Sequence, residues 1–235
     1  MRYLYKYPQA AFPYDQLVAT NRARNKHEAE YELLDTGVFN QNKYFDIVVE
    51  YAKAGAQDVL VEITAFNRGS KAATLHLLPT LWFRNTWSWG DQKKKPQLEV
   101  LLQDREAAIV AAQHADLGRV LLHCNGAPAL LFTENETNNQ RISSTANATP
   151  YVKDGINDHV VHGNAATVNP RRVGTKMSAH YPLVVDAAGS CSIQLRLCIS
   201  ALEPAVSKRP AKPQDIFGKS FAEIVDVLTK DSAKA

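Results

Sequence analysis

The sequence has no long hydrophobic run and almost no excess of charge. No stretch approaches the roughly 18 consecutive apolar residues of a membrane-spanning helix. The opening residues MRYLYKYPQAAFPY contain no continuous apolar core, which argues against a secretory signal peptide. A net charge of +3 is too small to indicate nucleic-acid binding, and the cationic run Lys93–Lys95 is explained by a solvated loop. These absences predict a cytoplasmic protein with neither a membrane partner nor a nucleic-acid partner.

Cysteine is also scarce, with only Cys124, Cys191 and Cys198 in the chain. Their number is odd, and each lies in or beside an apolar, strand-like run. This pattern is not that of a disulfide framework. It predicts buried thiols in a protein of a reducing compartment.

Motifs of nucleotide binding and nucleophilic catalysis are missing: the sequence has no Gly-rich phosphate loop, nucleophile elbow or Cys–His signature. Glu134 and Glu136 are the nearest approach to a glycosidase pair. In an extended chain their side chains would lie about 7 Å apart on one face. An acid and a base must instead flank the scissile bond. The pattern therefore favours two solvated carboxylates on a loop.

A second polar group lies in the segment KDGINDHVVHG. If this segment is helical, Asp154, Asp158 and His162 share one face at a spacing of four residues, with His159 nearby. A zinc site needs three or four convergent ligands of the right type. The interpretation favoured here is a set of hydrogen-bonded surface residues, and no metal or other cofactor is predicted.

Alternating apolar residues dominate the rest of the chain and predict β-strands. Strands are expected near 31–34 and at 44–52, 59–67, 74–83, 98–102, 108–112, 119–124, 129–133, 174–185 and 191–200. Short turns between them favour an all-β antiparallel sandwich over a parallel βαβ fold. Leu77 and Leu195 lie on the apolar side of their strands, so both are predicted to be core residues.

The stretch Thr74–Gly90 contains all three tryptophans of the chain. It begins as a strand and ends in a tip that we call the aromatic rim, made of Trp82, Arg84, Asn85, Trp87 and Trp89. Flat aromatic faces can cover the apolar faces of sugars, while guanidinium and amide groups bond hydroxyls. The rim therefore suits sugar recognition. The alternative is that the rings only cap an open end of the sandwich.

A long polar segment, 134–172, follows the predicted strand 129–133. It is too long for a simple connection, and such loops often carry binding residues. Its candidates for a substrate site or a domain interface are Asn138, Asn139, Asp154, Asn157, Asp158 and His162. We predict that the segment meets the aromatic rim, with Trp87 or Trp89 in contact with residues 134–162.

The C-terminal part of the chain changes composition. Residues 203–214 contain three prolines and three cations and are predicted to be a linker. Residues 215–230 carry an apolar stripe at helical spacing, which must be buried on the sandwich or on a further domain. The predicted organisation is a β-sandwich domain at 1–201, followed by a linker and a helix at 202–235.

Several long blocks of the sequence resemble a known family. They are YLYKYPQAAFPY, YELLDTGVF, LHLLPTLWFRNTWSWG, LFTENETNN, TPYVKDGINDHVVHG and GTKMSAHY. The blocks are similar to the N-terminal region of bacterial glycoside hydrolase family 63 proteins, which are related to processing α-glucosidases and mannosylglycerate hydrolases. The resemblance implies a β-sandwich of the supersandwich type packed against an (α/α)6 barrel.

In that family the catalytic carboxylates belong to the barrel, and no block here corresponds to it. The resemblance therefore assigns no catalytic residue, and the isolated chain is expected to hydrolyse no glucoside. Family members have a considerable segment before the YLYKYPQ block, so a fragment with an open sheet edge is expected.

Three functional hypotheses follow. The first is a non-catalytic N-terminal domain of a family-63-like glycosidase acting on α-glucosides or related sugars, with the barrel as its partner. The second is an independent carbohydrate-binding module that uses the aromatic rim. The third is a structural domain whose rim meets another protein chain.

Overall fold

The computed structural model of the chain describes residues 1–90, 95–199, 216, 217 and 219–232. The predicted linker at 203–214 lies outside these residues, as do Lys93 and Lys94 of the cationic run. The division at 201/202 therefore stays a prediction.

Within the described residues, twelve strands form two antiparallel sheets, which confirms the predicted all-β sandwich class. The strand predicted near 31–34 is wrong, because Leu33–Thr36 form a 3-10 turn. Their bounds are β1 Arg2–Pro8, β2 Tyr44–Gly55, β3 Asp58–Asn67, β4 Ala73–Leu77, β5 Thr80–Trp82, β6 Gln97–Gln103, β7 Ala107–His114, β8 Gly118–Asn125, β9 Ala129–Thr133, β10 Val173–Gly174, β11 Lys176–Val185 and β12 Ser190–Ile199. The larger sheet has the order β1-β2-β3-β12-β8-β7-β6-β10. In the smaller sheet β11 pairs with β4, β5 and β9.

Helices are few. They are α1 Tyr14–Ala23, α2 Asn139–Ser143, α3 Gly155–His162 and α4 Lys219–Ser232. Short 3-10 turns occur at Leu33–Thr36, Asn40–Asn42, Trp87–Trp89 and Ala165–Thr167. Within the described residues, no helix has both the length and the apolar character needed to cross a bilayer.

The predicted strand at 74–83 is divided into β4 and β5. The break falls at Leu78 and Pro79. A proline nitrogen cannot donate to a strand ladder, so Pro79 interrupts the pairing. Its carbonyl still accepts a bond of 3.0 Å from the backbone N–H of Ala179 in β11. The break sets β5 apart as a short strand that leads directly into the aromatic rim.

By backbone proximity the chain divides into two compact units. The first consists of residues 1–50, 62–75 and 182–193. Its buried side chains include Phe45, Ile47, Ile63, Leu75 and Val185. In β2 both sides are buried over Phe45–Val48, and Tyr51 is exposed. The alternation of apolar and polar sides that the sequence predicts for this strand is therefore wrong.

A buried asparagine fixes the turn after β3 in this first unit. The Asn67 amide donates to the carbonyls of Lys71 at 2.8 Å and Val185 at 2.9 Å. Its oxygen accepts from Gln9 Nε2 at 2.6 Å and from the Gly69 N–H at 2.8 Å. All four bonding positions of the side chain are filled, as a buried amide requires.

Strand β1 is an edge strand of the same unit. It is the first strand in the order of the larger sheet, and β2 is its described neighbour. Tyr3, Leu4 and Tyr5 are more than half exposed. Among the described strands, β1 therefore presents an unpaired edge.

The second unit consists of residues 51–61, 76–181 and 194–235. Leu77 and Leu195 are buried here, which confirms their predicted place in the core. Phe132, Met177 and Val110 are inaccessible to solvent. Of the three free thiols in the chain, Cys124 and Cys198 are buried as predicted, whereas Cys191 of the first unit is partly exposed.

The C-terminal helix α4 folds back within the second unit. Phe221 packs with Phe217, Leu60 and Ala52 in one hydrophobic cluster, and Ile224 and Val225 lie against it. The apolar stripe is therefore buried on β2 and β3, which was one of the two possibilities left open by the sequence.

Candidate functional site

The long polar segment 134–172 is held in place by backbone bonds. The Glu134 N–H donates to Tyr151 O at 2.8 Å, and the Lys153 N–H donates to Glu136 O at 3.0 Å. These bonds close residues 134–153 into a loop, and α2 lies within that loop. The Asn138 side chain caps α2 by accepting from the Arg141 N–H at 3.1 Å.

A glycine next to this loop allows two strands to approach closely. A Cβ atom on Gly174 would lie 2.3 Å from the carbonyl oxygen of Thr133, far inside contact distance. The approach lets the Thr175 N–H bond that carbonyl at 3.1 Å. It also brings the Thr175 hydroxyl to Glu134, to which it donates at 2.7 Å.

The aromatic rim and the neighbouring residue Phe83 meet the loop through two hydrogen bonds. The indole N–H of Trp87 donates to Glu136 Oε1 at 2.9 Å. The Asn135 amide donates to the carbonyl of Phe83 at 2.8 Å. The predicted contact between Trp87 and residues 134–162 is therefore present, and Trp87 is partly exposed.

Lys95 joins the two glutamates of the loop. Its ammonium lies 3.0 Å from Glu134 Oε2 and 2.7 Å from Glu136 Oε1. The two carboxylate side chains are only about one-fifth exposed, at 19% and 20%. The prediction of two solvated carboxylates is wrong, because tertiary folding places an ammonium between them.

The ion pairs set the charge state of this group. Burial acts to raise the pKa of Glu136, but hydrogen bonds from Lys95 and Trp87 outweigh it and hold the pKa below the usual value. A general acid must keep its proton near neutral pH. The hydrogen bonds favour the ionised form of Glu136, so its carboxylate does not suit the role of a general acid.

An open cavity of about 520 Å³ lies beside the loop. Its polar lining includes Arg84, Asn85, Asn135, Glu136, Asn139 and Lys153. Two hydrogen bonds to Ser88 fix the Asn85 side chain. The Asn85 amide N–H donates to the Ser88 hydroxyl at 2.8 Å, and the Asn85 amide oxygen accepts from the Ser88 backbone N–H at 3.0 Å. The cavity presents both donors and acceptors, which is the set that a hydroxyl-rich ligand requires.

The other tryptophans differ from Trp87. Trp82 is 54% exposed and does not line this cavity. Trp89 belongs to the 3-10 turn, and its side chain lies outside the described part of the chain. Of the predicted rim, the structure thus joins Arg84, Asn85 and Trp87 to the loop.

The remaining predicted site residues are spread over α2 and α3. Asp154 accepts from Asn138 at 3.1 Å and forms an ion pair with Arg141 at 2.9 Å. Burial favours a higher pKa for Asp154, but the bonds from Arg141 and Asn138 keep it below its usual value. Its carboxylate therefore already has cationic and amide partners.

Residues 155–162 form α3, so the segment is helical, which the sequence had left open. Asn157 and Asp158 lie on this helix, and His162, at its end, is exposed. Across the residues that the structure describes, no three or more His, Cys, Asp or Glu side chains converge as metal ligands.

A second cavity, of about 430 Å³, lies at the end of β6 and β7. Lys95, Gln97, Glu99, Gln113 and Arg119 contribute its polar groups. Its edge includes His114, which stacks on Phe83 with 4.8 Å between ring centroids. Lys95 borders this cavity and Glu136 borders the first, so their ion pair lies between the two.

Lys95, Glu134 and Glu136 are the members of this site that sequence reasoning misassigned. The lysine ends a run of three, which is usually solvated, and the glutamates flank an asparagine in a polar segment. No local signal connects position 95 with positions 134 and 136.

Comparison with known proteins shows that the chain is similar to a yeast protein. No protein-family model matches the chain. The chain is 32% identical over 216 residues to the uncharacterized protein YMR196W of Saccharomyces cerevisiae. The match covers 77% of this chain but 20% of the yeast protein. The chain thus spans about one-fifth of the length of this relative.

Proposed function

We propose that the chain is the non-catalytic N-terminal β-sandwich domain of a family-63-like α-glycosidase, and that its partner is an (α/α)6 catalytic barrel. The proposal rests on the block resemblance and is supported by one structural observation. Trp87 and Glu136 join two of the resembling blocks in a hydrogen bond of 2.9 Å, beside an open polar cavity.

The carboxylates of this site support a non-catalytic role. Glu134 and Glu136 share the ammonium of Lys95, which lies between them where a sugar would have to bind. An inverting glycosidase needs an acid and a base on opposite sides of the sugar, with room for a water. In this proposal those groups come from the barrel.

Charge and exposure favour the rim as part of the surface that meets the barrel. Arg84 is exposed, Trp87 is partly exposed, and both residue types are enriched at the centres of protein interfaces. The length of the yeast relative is compatible with a domain that works within a longer protein.

The test is complex formation with a separately expressed (α/α)6 barrel of a bacterial family-63 protein. We expect a 1:1 complex in size-exclusion chromatography with light scattering. Arg84→Glu should weaken it at least tenfold, whereas Arg105→Glu, at an exposed position on a turn, should leave it unchanged. Equal binding by both variants would remove the rim from the interface, and no complex with wild type would overturn the proposal.

The cavity lining favours an independent carbohydrate-binding module as the second candidate. Titration of α-gluco-oligosaccharides into the isolated chain distinguishes the two. A domain that acts only with its barrel should bind none of them alone. A module should bind saturably and lose affinity with Asn85→Ala and Asn139→Ala. Turnover of a nitrophenyl α-glucoside by the highly purified chain would contradict both.

A further inference from the structure

Two histidines of the smaller sheet lie side by side in the second unit. His76 is in β4 and His180 is in the neighbouring strand β11. His76 Nδ1 and His180 Nε2 are 2.7 Å apart, and the ring centroids are separated by 5.0 Å. His76 is exposed and His180 is half-buried, so the pair can be reached from solvent.

We propose that His76 and His180 form a binding site for a borderline divalent transition-metal ion such as Zn²⁺. Neutral imidazole nitrogens are preferred ligands of such ions. Two nitrogens on one tetrahedral zinc, each at about 2.0–2.1 Å, lie roughly 3.3 Å apart. The present pair needs to separate by only about 0.6 Å to reach that spacing, a small side-chain movement at an accessible position.

The surroundings keep the pair suited to ligation. Partial burial lowers the pKa of His180, and the neighbouring His76 and His159 lower it further. A neutral imidazole has a lone pair to offer, whereas an imidazolium has none. In the pair one ring donates its N–H to the other. When an ion binds between the rings, that hydrogen leaves the inner nitrogen and the same ring carries one on its outer nitrogen, so both rings stay neutral.

The third imidazole, His159, comes from α3. Its Nδ1 is buried and has no hydrogen-bond partner within the described structure. We assign the metal-binding role to His76 and His180 alone, with water completing the coordination. Structural and catalytic zinc sites have four and three protein ligands, so this pair belongs to neither class. Two protein ligands predict reversible and weaker binding.

The ion would connect two neighbouring strands, so it should stabilise the folded chain. A ligand that binds only the native state raises the melting temperature as its concentration rises above Kd. The proposal therefore has two independent readouts, binding and thermal stability, and neither depends on enzymatic activity.

The experiment is calorimetric titration of Zn²⁺ into the full chain in a buffer that does not chelate metals. We expect saturation near one equivalent and a rise in melting temperature. His76→Ala and His180→Ala should each weaken binding at least tenfold. His27→Ala and Cys191→Ser remove other accessible metal-binding groups and should bind like wild type.

A spectroscopic measurement on the unmodified chain guards against variants that fail to fold. Substoichiometric Cu²⁺ should broaden the imidazole NMR signals of His76 and His180 before that of His27. The absence of saturable Zn²⁺ binding, wild-type affinity in both histidine variants, or uniform broadening of all histidines would overturn the proposal.

Discussion

Two charged clusters in this molecule have opposite compositions. In the strand cluster, Asp46 of β2 lies between two cations, 2.6 Å from Lys6 Nζ and 2.7 Å from Arg68 Nε. In the loop cluster, Lys95 lies between the carboxylates of Glu134 and Glu136. The first places one anion between two cations, and the second places one cation between two anions.

The two clusters also differ in how the chain builds them. Lys6 and Asp46 are directly opposite each other in the β1–β2 register, so strand pairing alone brings them together. The residues of the loop cluster are separated by about 40 positions and meet only after the loop has folded onto the rim. The β1–β2 register thus explains the Lys6–Asp46 pair of the strand cluster, while the loop cluster depends on how the second unit folds.

The difference in burial sets the order of the expected effects. The Asp46 side chain is 9% exposed, while its two cations are each 48% exposed. Burial acts to raise the pKa of Asp46, and the hydrogen bonds from Lys6 and Arg68 more than reverse it. The strand cluster therefore has a buried charge at its centre, whereas Lys95, at the centre of the loop cluster, is 42% exposed.

The largest effect is expected for Asp46→Ala. It removes a buried carboxylate and its charged hydrogen bonds, which should lower the free energy of unfolding by about 2 kcal/mol. The loss stays below that of a fully buried pair because water hydrates the two cations that remain. Urea unfolding measures it.

Glu50→Ala, on the same strand, is the matched control, since the Glu50 pair with Arg2 is long at 3.6 Å. It should change stability by no more than about 0.5 kcal/mol. Equal effects of the two substitutions would show that the strand cluster is no more than a surface ion pair.

A smaller effect is expected for Lys95→Met, which leaves two carboxylates facing each other. We expect a loss of about 1 kcal/mol in urea unfolding, because the group is partly hydrated. Adding Glu134→Gln and Glu136→Gln should recover most of the loss by removing the repulsion. Lys53→Met, at an exposed position of β2, provides the control and should be neutral. Failure of the glutamine substitutions to recover stability would argue against charge repulsion as the cause.

Trp87→Phe should have a still smaller effect, because Lys95 continues to neutralise Glu136. It removes the indole N–H donor but keeps an aromatic ring. We expect a loss of about 0.5–1 kcal/mol together with a rise in the pKa of Glu136, observable by carboxyl NMR titration. Trp82→Phe changes a tryptophan for which no side-chain bond to this loop is found, and should leave that pKa unchanged. If the pKa of Glu136 is unchanged in Trp87→Phe, the indole hydrogen bond does not help to keep Glu136 ionised.

The smallest effect separates the clusters by pH. The pKa of Lys95 is raised: burial opposes this, but the bonds to Glu136 and Glu134 prevail. A raised cation pKa gives stability that is complete below the unfolded value, about 10.4, and is lost as pH rises through the folded pKa. The strand cluster contains an arginine as well as a lysine, whereas Lys95 is the cation of the loop cluster, so the loop cluster should be the more sensitive to alkaline pH.

Lys95→Arg tests this difference, because arginine stays protonated. Between about pH 9 and 11.5 the variant should lose less stability than wild type, by up to about 0.5 kcal/mol. Lys53→Arg should follow the wild-type curve. Parallel curves for wild type and Lys95→Arg would mean that deprotonation of Lys95 does not contribute to alkaline unfolding.

Much of the strand arrangement could be predicted from side-chain alternation. Leu77 and Leu195 were assigned to the core because every second residue of their strands is apolar, and both are buried. The helix at 155–162 was considered only as a possibility from the spacing of its polar residues. The division of the strand at Pro79 was missed, although proline's missing N–H is itself a local signal.

The candidate site was predictable only in part. The aromatic rim and the polar loop stand out in the sequence because long polar segments and grouped tryptophans are unusual, and Trp87 does meet the loop. The position of Lys95 did not stand out, since a lysine in a cationic run has no local feature that distinguishes a paired side chain from a solvated one. Its partners lie 39 and 41 residues away, at Glu134 and Glu136.

The sequence by itself determined where most of the strands lie, because the alternation of their side chains follows from a period of two along the chain. Only the tertiary structure decided which polar groups meet. Lys95 reaches two glutamates, and His76 lies beside His180 across 104 positions, because the strands and loops that carry them become neighbours on folding. Such pairings depend on distances between chain segments, and a local pattern contains no measure of those distances.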